Sequence, residues 1–178
     1  MKKLFTVLVL STLFLTGCSS DSDSTTSTGG GATSTLSAAE TENLVFMREE
    51  EKLARDVYRT LYNKWNLSIF NNISGSEQTH MDTLAGMLAT YGIADPVTSD
   101  ATGSFTNAAL ASLYNQLVAR GMTSSSEAIQ VGIFIEETDI ADLQKAISAT
   151  THDDLIQAYE NLLQGSYNHL QAFTAQAN

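Results

Sequence analysis

The sequence predicts an all-α protein: a four-helix bundle with a long crossover carrying one short extra helix between the second and third long helices. Three observations carry that expectation. Four segments repeat apolar residues at alternating spacings of three and four, the mark of a helix with one buried face. The only proline is Pro96, and no run of residues alternates convincingly as a strand would. Capping patterns stand where the periodic segments begin, and glycine where some of them end.

The first long helix should begin at Ser37, where Ser37-Ala-Ala-Glu40 has the form of a capping box, and run to about Trp65. Its inward set is Met47, Glu51, Ala54, Tyr58, Leu61 and Trp65. The second should run from about Ser68 to Tyr91, with Gly92 suited to the left-handed position that ends a helix. Its inward set is Ile73, Glu77, His80, Leu84, Met87 and Tyr91. Ala94 to Thr106 holds Asp-Pro, a glycine and several Ser and Thr, and reads as a loop. A short helix should follow from Asn107 to Arg120 and stop at Gly121. The third long helix opens on Ser124-Ser-Ser-Glu127, a second capping-box pattern, and runs to about Ser148 with Ile129, Ile133, Glu136, Ile140, Leu143 and Ile147 inward. The fourth begins near Thr151, with Asp153 and Asp154 in the first turn, where the helix dipole favours acids. Its inward set is Leu155, Tyr159, Leu162, Ser166, His169 and Phe173.

Tight turns join the first helix to the second and the third to the fourth, so each pair should be antiparallel. The roughly thirty residues between the pairs are enough for a crossover along the bundle, although an up-and-down bundle with an elaborated loop would carry the same heptads.

Ahead of the bundle, Lys2 and Lys3 precede an apolar run from Leu4 to Leu15, too short for a permanent membrane span. It reads as the core of a secretory signal occupying residues 1–17. The run ends in Leu15-Thr16-Gly17-Cys18, which resembles the lipobox of bacterial lipoproteins. That resemblance implies cleavage before Cys18 and lipidation of Cys18; an ordinary signal peptide followed by an incidental cysteine is the alternative. Cys18 is the only cysteine, so no intrachain disulfide can form. Residues 18–37 are mostly Ser, Thr, Gly and Asp and read as a flexible tether. Residues 38–178, roughly 140, suffice for one domain with a sizeable core. The expected location is extracytoplasmic, lipid-anchored to the cell envelope, with Ser19 favouring the outer membrane of a Gram-negative host.

Charge narrows the partners. The chain carries 20 acidic and 9 basic residues, a net charge of −11. Without Lys2 and Lys3, seven bases face those twenty acids, a formal charge of −13. Nucleic acid and anionic lipid would both repel such a domain, so the membrane should be held through the lipid on Cys18 alone. A second copy of the chain is a further candidate partner.

In every long helix the apolar stripe is interrupted once near its middle by metal-capable groups: Glu51, Glu77 with His80, Glu136, and His169. Ionised groups in a bundle core are costly unless paired or bound to metal. Four interruptions at matched depth point to one shared polar site. Each residue also has a plainer reading as a hydrogen-bonded core group, and Glu51 could pair with Lys52 or Arg55 along its own helix. Glu50 competes with Glu51 for the inward position. Tyr58 reads as packing aromatic or as a redox relay, and His152 as a solvated residue at a helix start.

The pattern resembles the carboxylate centres of ferritin-like bundles, in which two helices each give one Glu and two others each give Glu-x-x-His. Glu51 and Glu136 would be the single glutamates and Glu77-Gln-Thr-His80 one complete Glu-x-x-His. Glu51-Lys-Leu-Ala-Arg-Asp-Val-Tyr58 resembles the first-helix motif of rubrerythrins. The region from about Glu42 to Phe173 is also similar to an uncharacterised ferritin-like family of bacteria and archaea, through Glu49-Glu-Glu-Lys-Leu-Ala-Arg-Asp-Val-Tyr58, Ser76-Glu-Gln-Thr-His-Met81, Ile135-Glu-Glu-Thr-Asp-Ile-Ala-Asp-Leu143 and Gly165-Ser-Tyr-Asn-His-Leu170. The resemblance implies two iron ions, with manganese as the alternative, and chemistry of ferroxidase or peroxidase type on dioxygen or peroxide. The chain departs from the pattern in Ser166-Tyr-Asn-His169, where Ser166 stands in place of a glutamate. Asp139, one turn beyond Glu136, and Glu137 are the candidates to compensate. With no Cys-rich segment to deliver electrons, redox turnover would need an external donor. A tethered metal-storage or protein-binding module with a silent polar core is the competing expectation.

Overall fold

The structure is a computed structural model describing residues 35–177. The signal-like segment, Cys18 and the tether through residue 34 lie outside the described residues. Those described form five helices in the order α1 (Ala38–Trp65), α2 (Ser68–Thr90), α3 (Ala108–Gly121), α4 (Ser125–Ser148) and α5 (Asp153–Ala177).

Local chemistry sets the boundaries. The Ser37–Glu40 capping box forms in full: the Glu40 amide donates to Ser37 Oγ, and the Ser37 amide donates to Glu40 Oε2 at 2.8 Å. α1 ends at Asn66, in the left-handed region at φ 52°. Gly92 takes φ 67° just beyond α2, as its position predicts. Asn107 caps α3 by accepting from the amides of Ala109 and Leu110. At α4 only half of the expected box forms. Ser124 accepts from the Glu127 amide, but the Glu127 carboxylate instead takes a hydrogen bond from Arg120.

The long helices pack as a square. α1 lies most extensively on α2 and α4 on α5, and contacts of α1 with α4 and α2 with α5 close it. The diagonal pairs make no Cα approach within 8 Å, so across the centre helices meet only through side chains. Polar contacts fix the directions. Glu40, at the start of α1, meets Thr150 just past α4, and Trp65, at the end of α1, donates to the Gly121 carbonyl just before α4. Tyr91, after α2, bonds Asp154 at the start of α5. Adjacent helices are thus antiparallel throughout. The connection from α2 to α4 must therefore travel the length of the bundle, which separates the crossover topology from an up-and-down bundle.

The crossover follows α1. Arg48 holds Asp95, Lys52 the Ala101 carbonyl, Asp56 the Gly103 amide, Thr60 the Tyr114 hydroxyl and Trp65 the Gly121 carbonyl. Glu49 accepts from the amides of Thr106 and Asn107 at the start of α3. Because the crossover covers the face of α1 turned away from the bundle, all twelve residues from Met47 to Tyr58 are buried. A single apolar stripe does not describe such a helix.

The core divides into two apolar clusters. One contains Val57, Leu61, Phe70, Ile129, Val131 and Phe173. The other contains Leu44, Met47, Leu84, Leu88, Leu143 and Leu162. Burial of each such leucine contributes on the order of 1.5–3 kcal/mol. All six expected inward positions of the last helix are buried. In α4, Gly132 and Ile135 take the inward place expected of Ile133, which is half-buried, because a Cβ at Gly132 would lie 2.6 Å from Phe173 Cε1.

Candidate metal centre

Between the apolar clusters, one turn of each long helix turns acids and histidines toward a common point. Glu51 comes from α1, Glu77 and His80 from α2, Glu136 and Asp139 from α4, and Ser166 and His169 from α5; all seven are buried. The three-residue spacing of Glu77 and His80 places both on one face of α2.

Glu77 is the hub. Its Oε2 lies 2.9 Å from His80 Nδ1, and its Oε1 lies 3.0 Å from His169 Nδ1. The imidazole rings stack at 5.6 Å between centroids. His80 Nδ1 also lies 3.3 Å from Glu51 Oε2, and His169 Nδ1 lies 3.4 Å from Glu136 Oε2. Two donor triads result, Glu51–Glu77–His80 and Glu77–Glu136–His169, each with ligand atoms within 4.8 Å of one another. They share Glu77, whose two oxygens face one triad each.

Surrounding groups hold these side chains in place. Tyr58 donates to Glu136 Oε1 at 2.6 Å, and His169 Nε2 lies 2.9 Å from Ser76 Oγ. The Ser76 hydroxyl contact at Nε2 holds the His169 ring with Nδ1 turned toward the carboxylates. Ser166 donates to Asp139 Oδ2 at 2.5 Å. Gly165 makes room for His80: a Cβ there would stand 2.6 Å from His80 Nε2.

The electrostatics are those of crowded, dry carboxylates. Burial, reinforced by Glu77, pushes Glu136 up, and burial pushes Glu51 up despite its hydrogen bond with His80. Burial would also raise Glu77, but the close approach and charge of His169 and His80 outweigh it and hold the carboxyl low. Burial disfavours the charged histidines, yet the flanking carboxylates raise His80 to about 11 and His169 to about 10. Burial carries Asp139, Glu50 and the Tyr58 hydroxyl well above their ordinary values.

The donor set fits a metal. His169 Nδ1 and Glu51 Oε1 are buried without an aligned hydrogen-bond partner, and buried polar atoms rarely remain so. Carboxylate and imidazole donors gathered in this way could hold a metal ion. Glu51, Glu77, His80, Glu136 and His169 all meet at the cluster. Asp139 joins its wall through Ser166, outside both triads. Glu137 is exposed and does not contribute.

Several residues behave differently from expectation. Glu50 and Glu51 do not compete: both are buried. Neither Lys52 nor Arg55 pairs with Glu51. Lys52 is bonded to Asp56 and the Ala101 carbonyl, and Arg55 to Asp56, Gln78 and Asp100. His152 is half-buried, edge-on to Tyr91 and 3.7 Å from Glu40, rather than fully solvated. Ser76 and Gly165 gave no sign of their roles in the sequence beyond a glycine in the middle of an amphipathic helix.

Comparison with known proteins places this chain in a family. The chain is similar to "Uncharacterized protein MJ0754" of Methanocaldococcus jannaschii, 52% identical over 143 residues that cover 80% of this chain and 77% of that protein. The crystal structure of hypothetical protein MJ0754 from Methanococcus jannaschii superposes with a TM-score of 0.81 at 50% identity, covering 84% of this chain and 86% of that one. Residues 40–178, which contain every donor of the cluster, match a single family model. The chain belongs to the family described as "Uncharacterized protein domain (DUF2202)".

Proposed function

We propose that this is a ferritin-like metal-binding protein working outside the cytoplasm, with a two-ion iron or iron/manganese centre that oxidises Fe(II) or reduces dioxygen or peroxide. One observation carries the reading: Glu77 offers one oxygen to each of two histidine-containing triads. A carboxylate placed so, with Glu51 and His80 on one side and Glu136 and His169 on the other, would be available to a cation held in either triad. Iron held there would supply the electrons for reducing an oxygen-derived substrate.

The chain's own groups do the rest. Glu51 and Glu136 would each give a carboxylate to one position, Tyr58 and Ser76 orient Glu136 and His169, and the apolar clusters on either side keep bulk water out. Turnover needs an external electron donor. The lipobox-like Leu15–Cys18 supports lipid anchoring to the envelope, and the acidic surface supports a partner other than nucleic acid. A second reading, metal storage or a silent polar core, is favoured by Ser166, which removes the second bridging carboxylate of the ferritin-like pattern.

Anaerobic loading of the full chain with Fe(II), followed by oxygen, tests the proposal. About two irons per chain and a new near-ultraviolet absorption on oxidation support it. Sub-stoichiometric iron without spectral change, repeated with Mn(II), would overturn the redox centre and leave the second reading.

A further inference from the structure

The two triads share Glu77 but differ in how their other donors are held. Glu136 and His169 are each fixed from outside the cluster. Tyr58 donates to Glu136 Oε1 at 2.6 Å, and its ring packs against Phe70 and Phe173, at 6.0 and 5.2 Å between centroids. Ser76 Oγ stands 2.9 Å from His169 Nε2. Glu136 Oε2 and His169 Nδ1 are left facing each other at 3.4 Å. Glu51 and His80 have no such support. Glu51 Oε1 is buried without a hydrogen-bond partner, and Oε2 meets His80. Among the described residues, the polar contacts of His80 all run through Nδ1, to Glu51 and Glu77. Its Nε2 faces Gly165, where a Cβ would lie 2.6 Å away, so the helix offers no side chain there.

A histidine that binds metal through one nitrogen presents the proton of the other to an acceptor, and outer partners of this kind are worth about 10–100-fold in metal affinity. Ser76 supplies that acceptor to His169. Nothing among the described residues supplies one to His80. A carboxylate held in place before the ion arrives loses less freedom on binding it. We propose that the two cation positions are unequal: the Glu77–Glu136–His169 triad, positioned by Tyr58 and Ser76, fills first and retains its ion, while the Glu51–Glu77–His80 triad fills second and exchanges. The inference rests on the two-ion reading above and gives that centre one resident and one exchangeable ion. Repulsion across the shared Glu77 would weaken any second ion. What Tyr58 and Ser76 decide is which triad holds the first.

The test is a titration of the full chain with Mn(II), the free ion being read by its electron paramagnetic signal. The wild type should take up about two ions per chain, the first more tightly. His80→Gln should keep the tight ion and lose the weak one, and His169→Gln should lose the tight one. Tyr58→Phe and Ser76→Ala should each weaken the first ion by about tenfold or more with little change in the second. Ser76→Thr, which keeps the hydroxyl, should restore it. Thermal unfolding without metal checks each fold. If His169→Gln does not fold, Ser76→Ala, at a half-buried position, carries the test beside His80→Gln. Loss of the tight ion in His80→Gln but not in His169→Gln would overturn the inference, as would equal effects of the two. Undiminished first-ion affinity in both Tyr58→Phe and Ser76→Ala would overturn it too. Each of these outcomes leaves the two-ion reading standing. A wild type that takes up one ion or none would remove that reading and this inference together.

Discussion

At the scale of single residues, the cluster depends on what stands beside the donors as much as on the donors. Gly165 is such a position. Alanine there would gain up to about 1 kcal/mol of helix propensity in an ordinary setting, but its Cβ would press within 2.6 Å of His80 Nε2. Gly165→Ala should therefore lower Mn(II) stoichiometry while helical content by circular dichroism holds. Full retention of binding would show that the His80 ring does not need the space that Gly165 leaves it. The protonation state gives an independent reading. With His80 held near 11 and His169 near 10, both rings are cationic at neutral pH before metal binds. A divalent ion must displace those protons, so loading in weak buffer at about pH 7 should release protons, and affinity should fall as pH is lowered. An indicator dye that registers no release on stoichiometric binding would exclude the histidines as ligands.

Among the elements, α1 is held at its start by one carboxylate. Glu40 accepts from Ser37 within the capping box and from Thr150 Oγ1, at 2.6 Å, beyond α4. The Thr150 and Ser37 hydrogen bonds, in that order, lower its carboxyl from 4.5 to about 2. A folded value below the unfolded one means stabilisation that is complete above the unfolded value and lost as pH falls through the folded one. Glu40→Gln should lower the melting temperature at about pH 6, and its difference from wild type should shrink between pH 4.5 and about 2. A difference independent of pH across that window would show that the carboxylate charge is not what joins α1 to the α4–α5 turn.

For the molecule as a whole, the crossover joins the two hairpins and covers the outer face of α1. Its attachment to α1 runs through Asp56, which accepts from Lys52 and Arg55, all three fully buried, and from the Gly103 amide. The Arg55–Asp100 pair on the same segment contributes little, since Asp100 is 76% exposed. Removing one member of a buried ion cluster leaves charges uncompensated and costs about 3–5 kcal/mol. Asp56→Ala should lose that much in urea unfolding, and amide exchange should quicken first at Gly103. A loss below about 1 kcal/mol would mean that apolar packing, not this cluster, holds the crossover.

The sequence alone determined the helical class, the helix limits within a few residues and the meeting of Glu51, Glu77, His80, Glu136 and His169, because heptad spacing and capping are local properties of the chain. It could not show that Glu50, Lys52, Arg55 and Asp56 are buried. The burial of Lys52, Arg55 and Asp56 comes from the crossover, some forty to fifty residues away, lying along α1, as the contacts of Lys52 with Ala101, Arg55 with Asp100 and Asp56 with Gly103 show. Nor could spacing separate Asp139, turned inward and held by Ser166, from the exposed Glu137. Periodicity records which face of a helix is apolar. Which polar groups are enclosed depends on what covers the other face, and only the tertiary structure supplies that.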